Sequence, residues 1–343
     1  MPMGLRRDKP GTAGKGSGAT DRRARERGGL AVPGDVLAIE VDGLIKRFGQ
    51  LPAVDRISFG VRKGEFFGFL GPNGAGKTTT IRILTGVMEA DGGSAFIMGH
   101  GAGSLKAKQV ASVVPEMANA YTDLTGWNNL MFMAELYGVQ TKQARERSVS
   151  LLQALALQDR KDNLVKTYSK GMKQRLILCM ALISDPDVLF LDEPTSGLDV
   201  QSARLIKDLL RDLNKNGKTI FLTTHDMDEA SELCDRVAII NKGRIVAIDT
   251  PEKLRMATSG QHSVEVSFAG TVDPEGLVGL PGVNAVQKVG DKYRLYTESP
   301  GELVVTLVNH SCAVSFKIVS LNTLAPSLED AFVALTEKQA EHV

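Results

Sequence analysis

A glycine-rich segment in the first third of the chain has the composition and spacing of a phosphate-binding loop. Residues 71–79 read Gly-Pro-Asn-Gly-Ala-Gly-Lys-Thr-Thr, which matches the pattern GxxxxGK[ST]. Such a loop surrounds phosphate oxygens with backbone N–H groups. We expect Lys77 to reach the β- and γ-phosphates of a nucleotide and the Thr78 hydroxyl to bind Mg²⁺. The other candidate nucleotide-binding residues of the loop are Gly71, Asn73, Gly74, Ala75, Gly76 and Thr79.

Two adjacent acids form a second candidate site. The apolar run 188–191 ends directly in Asp192 and Glu193. A carboxylate in the position of Asp192 suits the coordination shell of Mg²⁺, and Glu193 is placed to polarise an attacking water as a general base. An apolar strand that ends in two acids is weak evidence alone. Together with the phosphate loop, it becomes strong evidence for a site that binds phosphates and Mg²⁺ and activates a water.

The surrounding pattern predicts the elements that position these residues. Apolar runs at 66–70, 188–191 and 219–222 are typical of buried strands. A helix is predicted from Gln201 to Asn214, with Gly217 as its stop signal. Strand, helix and strand at these lengths form the βαβ unit of a parallel sheet. Further strands are expected at 36–41 and 57–61, and helices within 126–157.

Three further motifs follow in order. Residues 168–175 read Tyr-Ser-Lys-Gly-Met-Lys-Gln-Arg, residues 196–199 read Ser-Gly-Leu-Asp, and a histidine stands in Thr-Thr-His-Asp after the strand predicted at 219. With these motifs the chain resembles the nucleotide-binding subunits of ATP-binding cassette (ABC) transporters, from about Leu37 to Leu254. The resemblance implies an α/β P-loop NTPase cassette with a parallel core sheet, an antiparallel β subdomain and a helical subdomain at about 116–185.

The resemblance also implies a role for individual residues. Phe48 falls where the family stacks an aromatic ring on adenine, and Ser169 and Gly171 belong to the signature motif that offers donors to a γ-phosphate. Asp199 belongs to the loop that communicates across the dimer, and His225 resembles the histidine that contacts the γ-phosphate and the attacking water. Taken alone, Phe48 would more often be a core residue and His225 a structural histidine.

The separation of the signature from the phosphate loop predicts the assembly. The two lie some 90 residues apart, and family members use the signature on the opposite subunit. We therefore expect a homodimer of two-fold symmetry with ATP and Mg²⁺ at each shared site. The family resemblance also implies a separate membrane-spanning permease that docks on the helical subdomain. The apolar residues offered for docking, or for an internal core, are Tyr121, Leu124, Trp127 and Leu130.

Two residues depart from the family pattern. Glu116 stands where the family usually has a glutamine that binds Mg²⁺ and couples the site to the permease. A carboxylate is still an oxygen ligand, and an acid here resembles the drug and sodium exporter branch. The alternative is that Glu116 only caps its loop. Lys170 replaces the first glycine of the signature, while Ser169 and Gly171 are retained.

Charge and composition divide the rest of the chain. Residues 1–34 carry eight Lys or Arg and three Asp or Glu; their net charge of +5 predicts a disordered basic tail, with weak attraction to anionic lipid as the alternative. The whole chain has a formal net charge of +1, so the residues after the tail sum to −4. A negatively charged surface repels the phosphates of a nucleic acid, which disfavours a nucleic-acid partner. We expect the cassette at 35–255. For 256–343, the order β-α-β-β-α-β predicts a small α+β accessory domain of the ferredoxin-like pattern, with a last strand at 314–320 and a helix capped by Ser327.

The resulting prediction is an ATPase subunit of an ABC exporter at the cytoplasmic face of the cell membrane. No apolar run approaches the 20 or so residues of a membrane span, so the association is peripheral. A soluble ABC ATPase that acts in DNA repair or on ribosomes or RNA is the alternative. A P-loop kinase is disfavoured because it has no need of the signature or of the loop at 196–199. Three cysteines without CxxC spacing indicate reduced thiols in the core.

Overall fold

A computed structural model describes residues 36–117, 119–257, 262–270, 272–314, 317–324 and 327–340. The predicted tail at 1–34 lies outside the described residues. The strands are β1 (Leu37–Phe48), β2 (Leu51–Arg62), β3 (Phe66–Leu70), β4 (Gly92–Ile97), β5 (His100–Gly101), β6 (Ala111–Val114), β7 (Val188–Asp192), β8 (Thr219–Thr224), β9 (Arg236–Asn241), β10 (Arg244–Asp249), β11 (His262–Ala269), β12 (Ala285–Val289), β13 (Lys292–Thr297) and β14 (Lys317–Leu324). The α-helices are α1 (Lys77–Leu84), α2 (Leu105–Val110), α3 (Gly126–Leu136), α4 (Thr141–Ala154), α5 (Lys170–Leu182), α6 (Val200–Lys215), α7 (Met227–Leu233), α8 (Pro251–Ala257), α9 (Pro274–Val278), α10 (Pro300–Val314) and α11 (Leu328–Ala340).

A largely parallel sheet of order β10-β9-β3-β8-β7-β6 forms the centre of the fold. Strands β3, β7 and β8 are fully buried, which explains their uninterrupted apolar sequences. The predicted strands at 66–70, 188–191 and 219–222 and the predicted helix at 201–214 are confirmed. Because β7 and β8 pair in parallel with α6 between them, the predicted βαβ unit is also present. Parallel strands bring the ends of β3, β7 and β8 to one edge of the sheet, where the phosphate loop, Glu193 and His225 follow.

An antiparallel sheet of order β2-β1-β4-β5 lies on one side of this centre. Strands β1 and β2 form a long hairpin, much longer than the short strands predicted at 36–41 and 57–61. The two sheets share a hydrophobic core. Within it the rings of Phe59 and Phe67 stack at 5.7 Å, and Phe69 packs against Phe221 at 5.4 Å between ring centroids. The hairpin turn carries Phe48, and β2 passes from there towards the phosphate loop.

Helices α3, α4 and α5 lie between β6 and β7 in the sequence. The helical pattern at 126–157 divides where α3 ends at Leu136 and Gly138 takes a φ of 68°. The apolar faces of these helices pack with one side of the central sheet in a second core. Leu130, one of the residues considered for docking, is fully buried there, whereas Tyr121 is 49% exposed.

The chain after α8 contains a third sheet, antiparallel and of order β12-β13-β11-β14. Its elements follow one another in the predicted β-α-β-β-α-β order. The predicted bounds of the last strand, 314–320, are wrong. Helix α10 continues through Val314, and the strand occupies Lys317–Leu324. The apolar residues at 313–314 extend the helical pattern, so an apolar run there did not mark a strand. This sheet and α10 have their own core, around Val266, Leu295 and Leu307.

Helix α11 does not pack against the third sheet, although it follows that sheet in the sequence. Ser327 and Asp330 form a reciprocal cap at its start, with Ser327 N–H donating to Asp330 Oδ2 at 2.9 Å and Asp330 N–H donating to Ser327 Oγ at 3.0 Å. Leu328, buried at 3% exposure, and Phe332 pack into the core beside the central sheet rather than into the core of the third sheet. The last helix therefore completes the hydrophobic core of the nucleotide-binding part.

Two cysteines lie in that same core. Cys179 and Cys234 are buried free thiols, and the Cys312 side chain is outside the described part of the chain. Burial raises the pKa of Cys179 to about 12 and also raises the pKa of Cys234. Both are therefore packing residues, as predicted.

None of the helices in the described ranges is both long and apolar enough to cross a lipid bilayer.

Candidate functional site

The phosphate loop connects β3 to α1 in a conformation that its glycines permit. Gly76 caps α1 with a φ of 108°, a region that L-residues rarely adopt, and a Cβ there would collide with the carbonyl oxygen of Ala53. The loop is thus held closely against β2. Lys77 turns back into it, and Nζ donates to the carbonyl oxygens of Gly71 at 2.7 Å and Pro72 at 3.3 Å.

Lys77, Glu193 and His225 form a continuous polar chain. Lys77 Nζ lies 3.3 Å from Glu193 Oε1, and His225 Nδ1 lies 2.9 Å from Glu193 Oε2. The side chains of Lys77 and Glu193 are 5% and 10% exposed, whereas His225 is 53% exposed. They border a cleft of about 370 Å³. The predicted site residues that line this cleft are Asn73, Gly74, Gly76, Lys77, Thr78, Thr79, Glu116, Glu193 and His225.

The backbone of Glu193 is strained. Its φ is 49°, which costs a non-glycine residue about 1–2 kcal/mol. The conformation is held by hydrogen bonds from Glu193 N–H to Thr223 O at 3.0 Å and from Ser196 N–H to Glu193 O at 3.2 Å. The turn aims the carboxylate into the cleft directly beyond the end of β7.

Asp192 is buried at the end of β7, with 2% exposure, and accepts a hydrogen bond of 2.5 Å from the hydroxyl of Thr223. Thr78 and Glu116 line the cleft, whereas Asp192 does not. All three residues offer oxygen donors, the type of ligand that Mg²⁺ prefers. Among the described residues no three or more His, Cys, Asp or Glu side chains converge on one point. A cation here would therefore depend on oxygens of the nucleotide, as Mg²⁺ at phosphate sites does.

Phe48 lies at the hairpin turn and is 52% exposed, so it is not a core residue. The hairpin pairs it with Leu51, two residues before the Ala53 that contacts the phosphate loop. Phe48 itself is not among the residues that line the cleft. Glu116 follows β6 and borders the cleft.

The signature residues lie outside this cleft. Ser169 caps α5 by accepting a hydrogen bond of 3.2 Å from Met172 N–H. A Cβ at Gly171 would collide with Ser202 Oγ, so the start of α5 packs tightly on the start of α6. The side chain of Lys170 turns towards the loop before α6, and Nζ donates to Ser196 O at 3.2 Å.

Asp199 caps α6 in the same chain. Its Oδ1 accepts from Ser202 N–H and its Oδ2 from Ser202 Oγ, both at 2.8 Å. These two hydrogen bonds lower the pKa of Asp199 below its usual range, the backbone bond having the larger effect. At neutral pH Asp199 is therefore ionised, and its carboxylate stabilises the start of α6 within one subunit.

Sequence reasoning missed two residues behind the cleft. Glu229, on α7, is 1% exposed, and its Oε1 accepts a hydrogen bond of 2.6 Å from Thr195 Oγ1. The only sequence signal for its burial was its spacing: Glu229 lies next to Ala230 and four residues before Leu233, and so on the apolar face of α7.

Comparison with known proteins identifies the family. The model of the family described as ABC transporter matches residues 54–196. Nod factor export ATP-binding protein I of Ralstonia nicotianae is 37% identical over 89% of this chain and 96% of its own length. A fluoroquinolones export ATP-binding protein of Mycobacterium tuberculosis is 40% identical over 88% and 94%. The chain belongs to the ABC transporter family. It is an ABC ATP-binding subunit homologous to exporter ATPases, as predicted, and its enzymatic activity is ATP hydrolysis.

Solved structures agree with the ABC fold. An ATP-binding subunit of an ABC transporter superposes with a TM-score of 0.60 at 29% identity, over 64% of this chain and 92% of that one. A dimeric cassette in a post-hydrolysis state, bound to ADP and Pi, gives a TM-score of 0.57 at 22% identity, over 62% and 98%. The predicted fold class is confirmed, and the prediction of an ABC ATPase prevails over the P-loop kinase and over the soluble cassette.

Proposed function

We propose that the chain powers export as one of two identical ATPase subunits that bind a membrane-spanning permease at the cytoplasmic face of the membrane. The observation that carries the proposal is the incompleteness of the cleft. The cleft contains the phosphate loop, Glu193 and His225, but Ser169 and Gly171 do not line it. A second copy would supply those donors and so complete each site. Relatives named for the export of Nod factors and fluoroquinolones support the direction of transport.

Within each site we assign the residues as follows. The amide groups of the loop and Lys77 bind the phosphates, and Phe48 stacks on adenine. Thr78, Asp192 and Glu116 would hold Mg²⁺, which neutralises phosphate charge. Glu193 accepts a proton from the water whose oxygen attacks the γ-phosphorus, and the bond to the ADP oxygen breaks. His225 donates to the γ-phosphate and helps to orient the water.

A shallow apolar cleft gives the permease a place to dock. It measures about 240 Å³ and lies among the end of α1, helix α2, strand β6 and Tyr137 after α3. Leu136 and Tyr137 are 62% and 42% exposed. Exposed apolar groups around a concave surface are typical of a protein–protein contact. The position beside β6, which leads directly to Glu116, would connect a docked permease to the nucleotide.

The dimer is tested by equilibrium sedimentation of Glu193→Gln, which is expected to bind ATP without hydrolysing it. We expect a dimer with ATP and Mg²⁺ and a monomer with ADP. The matched control is Glu193→Gln combined with Ser169→Asp, which keeps an N-cap residue for α5 at an exposed position but adds a negative charge to the signature, and which is therefore expected to remain a monomer in ATP. A monomer in ATP for Glu193→Gln itself would contradict the proposal.

The permease is tested by affinity purification of the chain from detergent-solubilised membranes of its native cell. We expect a multi-helix membrane protein to co-purify with the wild type and to be lost from Tyr137→Glu. Lys142→Glu, which changes an exposed charge on α4 outside the apolar cleft, is the control. Recovery of ribosomes or DNA instead would favour the alternative, a soluble cassette that acts on nucleic acid.

A further inference from the structure

The carboxyl group of Glu229 is buried and does not line the nucleotide cleft, yet it accepts a hydrogen bond from Thr195, two residues after Glu193. Its Oε1 accepts the hydrogen bond from Thr195 Oγ1 at 2.6 Å, and its Oε2 has no hydrogen-bond partner among the described residues. Burying a carboxyl group with one unsatisfied oxygen destabilises a protein. A leucine or methionine would fill the same position in the core without that cost.

Glu229 and Thr195 join the same two segments that carry Glu193 and His225. Thr195 lies two residues after Glu193, in a turn closed by the hydrogen bond from Ser196 N–H to Glu193 O. Glu229 lies four residues after His225, in the first turn of α7, which begins at Met227. Two side-chain contacts therefore connect the segments: an exposed contact in the cleft between Glu193 and His225, and a partly buried one outside the cleft between Thr195 and Glu229.

Only the surface contact conflicts with hydrolysis. In the proposed function, Glu193 binds the attacking water and His225 binds the γ-phosphate, so the 2.9 Å contact between them must open. The Thr195–Glu229 hydrogen bond is partly buried, and neither of its residues lines the cleft that would hold the ligands. It can persist while the surface contact opens, and so it can hold the two segments at a fixed separation.

We infer that Glu229 is a positioning residue, which through its hydrogen bond from Thr195 holds Glu193 and His225 at the spacing that hydrolysis requires. The inference rests on the proposed roles of Glu193 and His225. The negative charge of Glu229 is not required for this role, because only an oxygen that accepts a hydrogen bond from the Thr195 hydroxyl is needed. A glutamine side chain offers the same acceptor in nearly the same volume.

The test compares conservative with disruptive variants of the full chain. Disruption by Glu229→Leu or Thr195→Val is expected to lower kcat by about ten- to a hundredfold, since small displacements of reacting groups have effects of that size. The KM for ATP and the affinity for ADP stay within about threefold, because the lost interaction acts on the transition state. Glu229→Gln and Thr195→Ser keep the hydrogen bond and retain kcat within about threefold. The double variant Glu229→Leu/Thr195→Val loses no more than the worse single variant.

A kcat that is unchanged in the disruptive variants, or losses that are additive in the double variant, would overturn the inference. So would a parallel rise in KM, which indicates a general loss of structure. If Glu229→Leu does not fold, the nearly isosteric Thr195→Val reports on the same hydrogen bond. Glu193→Gln in the same assay separates the two proposals. Hydrolysis by Glu193→Gln contradicts the proposed function, whereas an inactive Glu193→Gln beside fully active Thr195→Val contradicts only the role of Glu229.

Discussion

Lys77 and Glu193 form a buried ion pair across the floor of the cleft, with Nζ 3.3 Å from Oε1. The carboxylate of Glu193 neutralises the Lys77 ammonium group, which is the group that we expect to bind the phosphates of a nucleotide. A nucleotide must therefore take Lys77 away from Glu193 as it enters.

This competition predicts that Glu193→Gln binds nucleotide more tightly than the wild type. Removing the carboxylate frees Lys77 and removes repulsion of the phosphates, so we expect the Kd for ADP to fall by about three- to tenfold. ADP is the appropriate probe because it lacks the γ-phosphate that closes the proposed dimer. Calorimetry of ADP binding measures the effect, with Glu229→Gln as the neutral control. An unchanged or higher Kd would contradict the competition.

Glu116→Gln is predicted to keep ATP binding and to change the Mg²⁺ dependence of hydrolysis. Glu116 borders the cleft, and an amide is a weaker ligand for Mg²⁺ than a carboxylate. The Mg²⁺ concentration for half-maximal rate should rise by about three- to tenfold. Glu89→Gln, at an exposed position outside the cleft, should leave it unchanged. If Glu116 only caps its loop, the two titrations will coincide.

Lys170→Met is predicted to weaken the ATP-dependent dimer of Glu193→Gln. The described residues include no ion-pair partner for Lys170, and its Nζ bonds only the carbonyl of Ser196. Its charge is therefore available to a triphosphate on the opposite subunit. We expect about tenfold weaker association at low salt and a smaller difference at high salt, measured by sedimentation. Lys166→Met, before the signature helix, is the control; equal effects of the two variants would exclude a specific role.

Gly76→Ala is predicted to abolish nucleotide binding. The new Cβ would collide with the Ala53 carbonyl at a φ of 108°, so the loop must move away from β2. The free energy of unfolding should also fall by about 1–3 kcal/mol. ADP calorimetry and urea unfolding measure both effects. Gly101→Ala, whose Cβ would enter open space at an ordinary φ, is the matched control; wild-type ADP affinity in Gly76→Ala would show that the loop tolerates the side chain.

The capping carboxylate of Asp199 predicts a pH dependence of stability. Because the folded protein lowers the pKa of this acid, its charge stabilises the fold at pH values above the unfolded pKa of about 4. That contribution disappears as pH falls through the lowered pKa. Urea unfolding should therefore show a deficit for Asp199→Asn that is largest near neutral pH and shrinks in acid. Asp212→Asn, later on the same helix, is the control, and a deficit independent of pH would refute the explanation.

The sequence predicted the parts of the site that depend on neighbouring residues. The phosphate loop, the acids at the end of β7 and the helix after Asp199 are set by local spacing and local burial. The Thr195–Glu229 hydrogen bond could not be predicted, because it joins residues 34 positions apart and a glutamate on a helix usually faces solvent. The shift of β14 has a similar reason, since a short apolar run is compatible with either a helix end or a strand.

Helix α11 gives a final consequence for the design of fragments. A truncation at the predicted boundary near residue 255 removes α11, and with it Leu328 and Phe332 from the hydrophobic core of the nucleotide-binding part. The same helix borders a cavity that includes Pro72 and His225. A fragment without it would expose apolar surface beside the reacting groups. Kinetic constants measured on such a fragment would describe a partly opened protein, so the intact chain is the proper reference for quantitative enzymology.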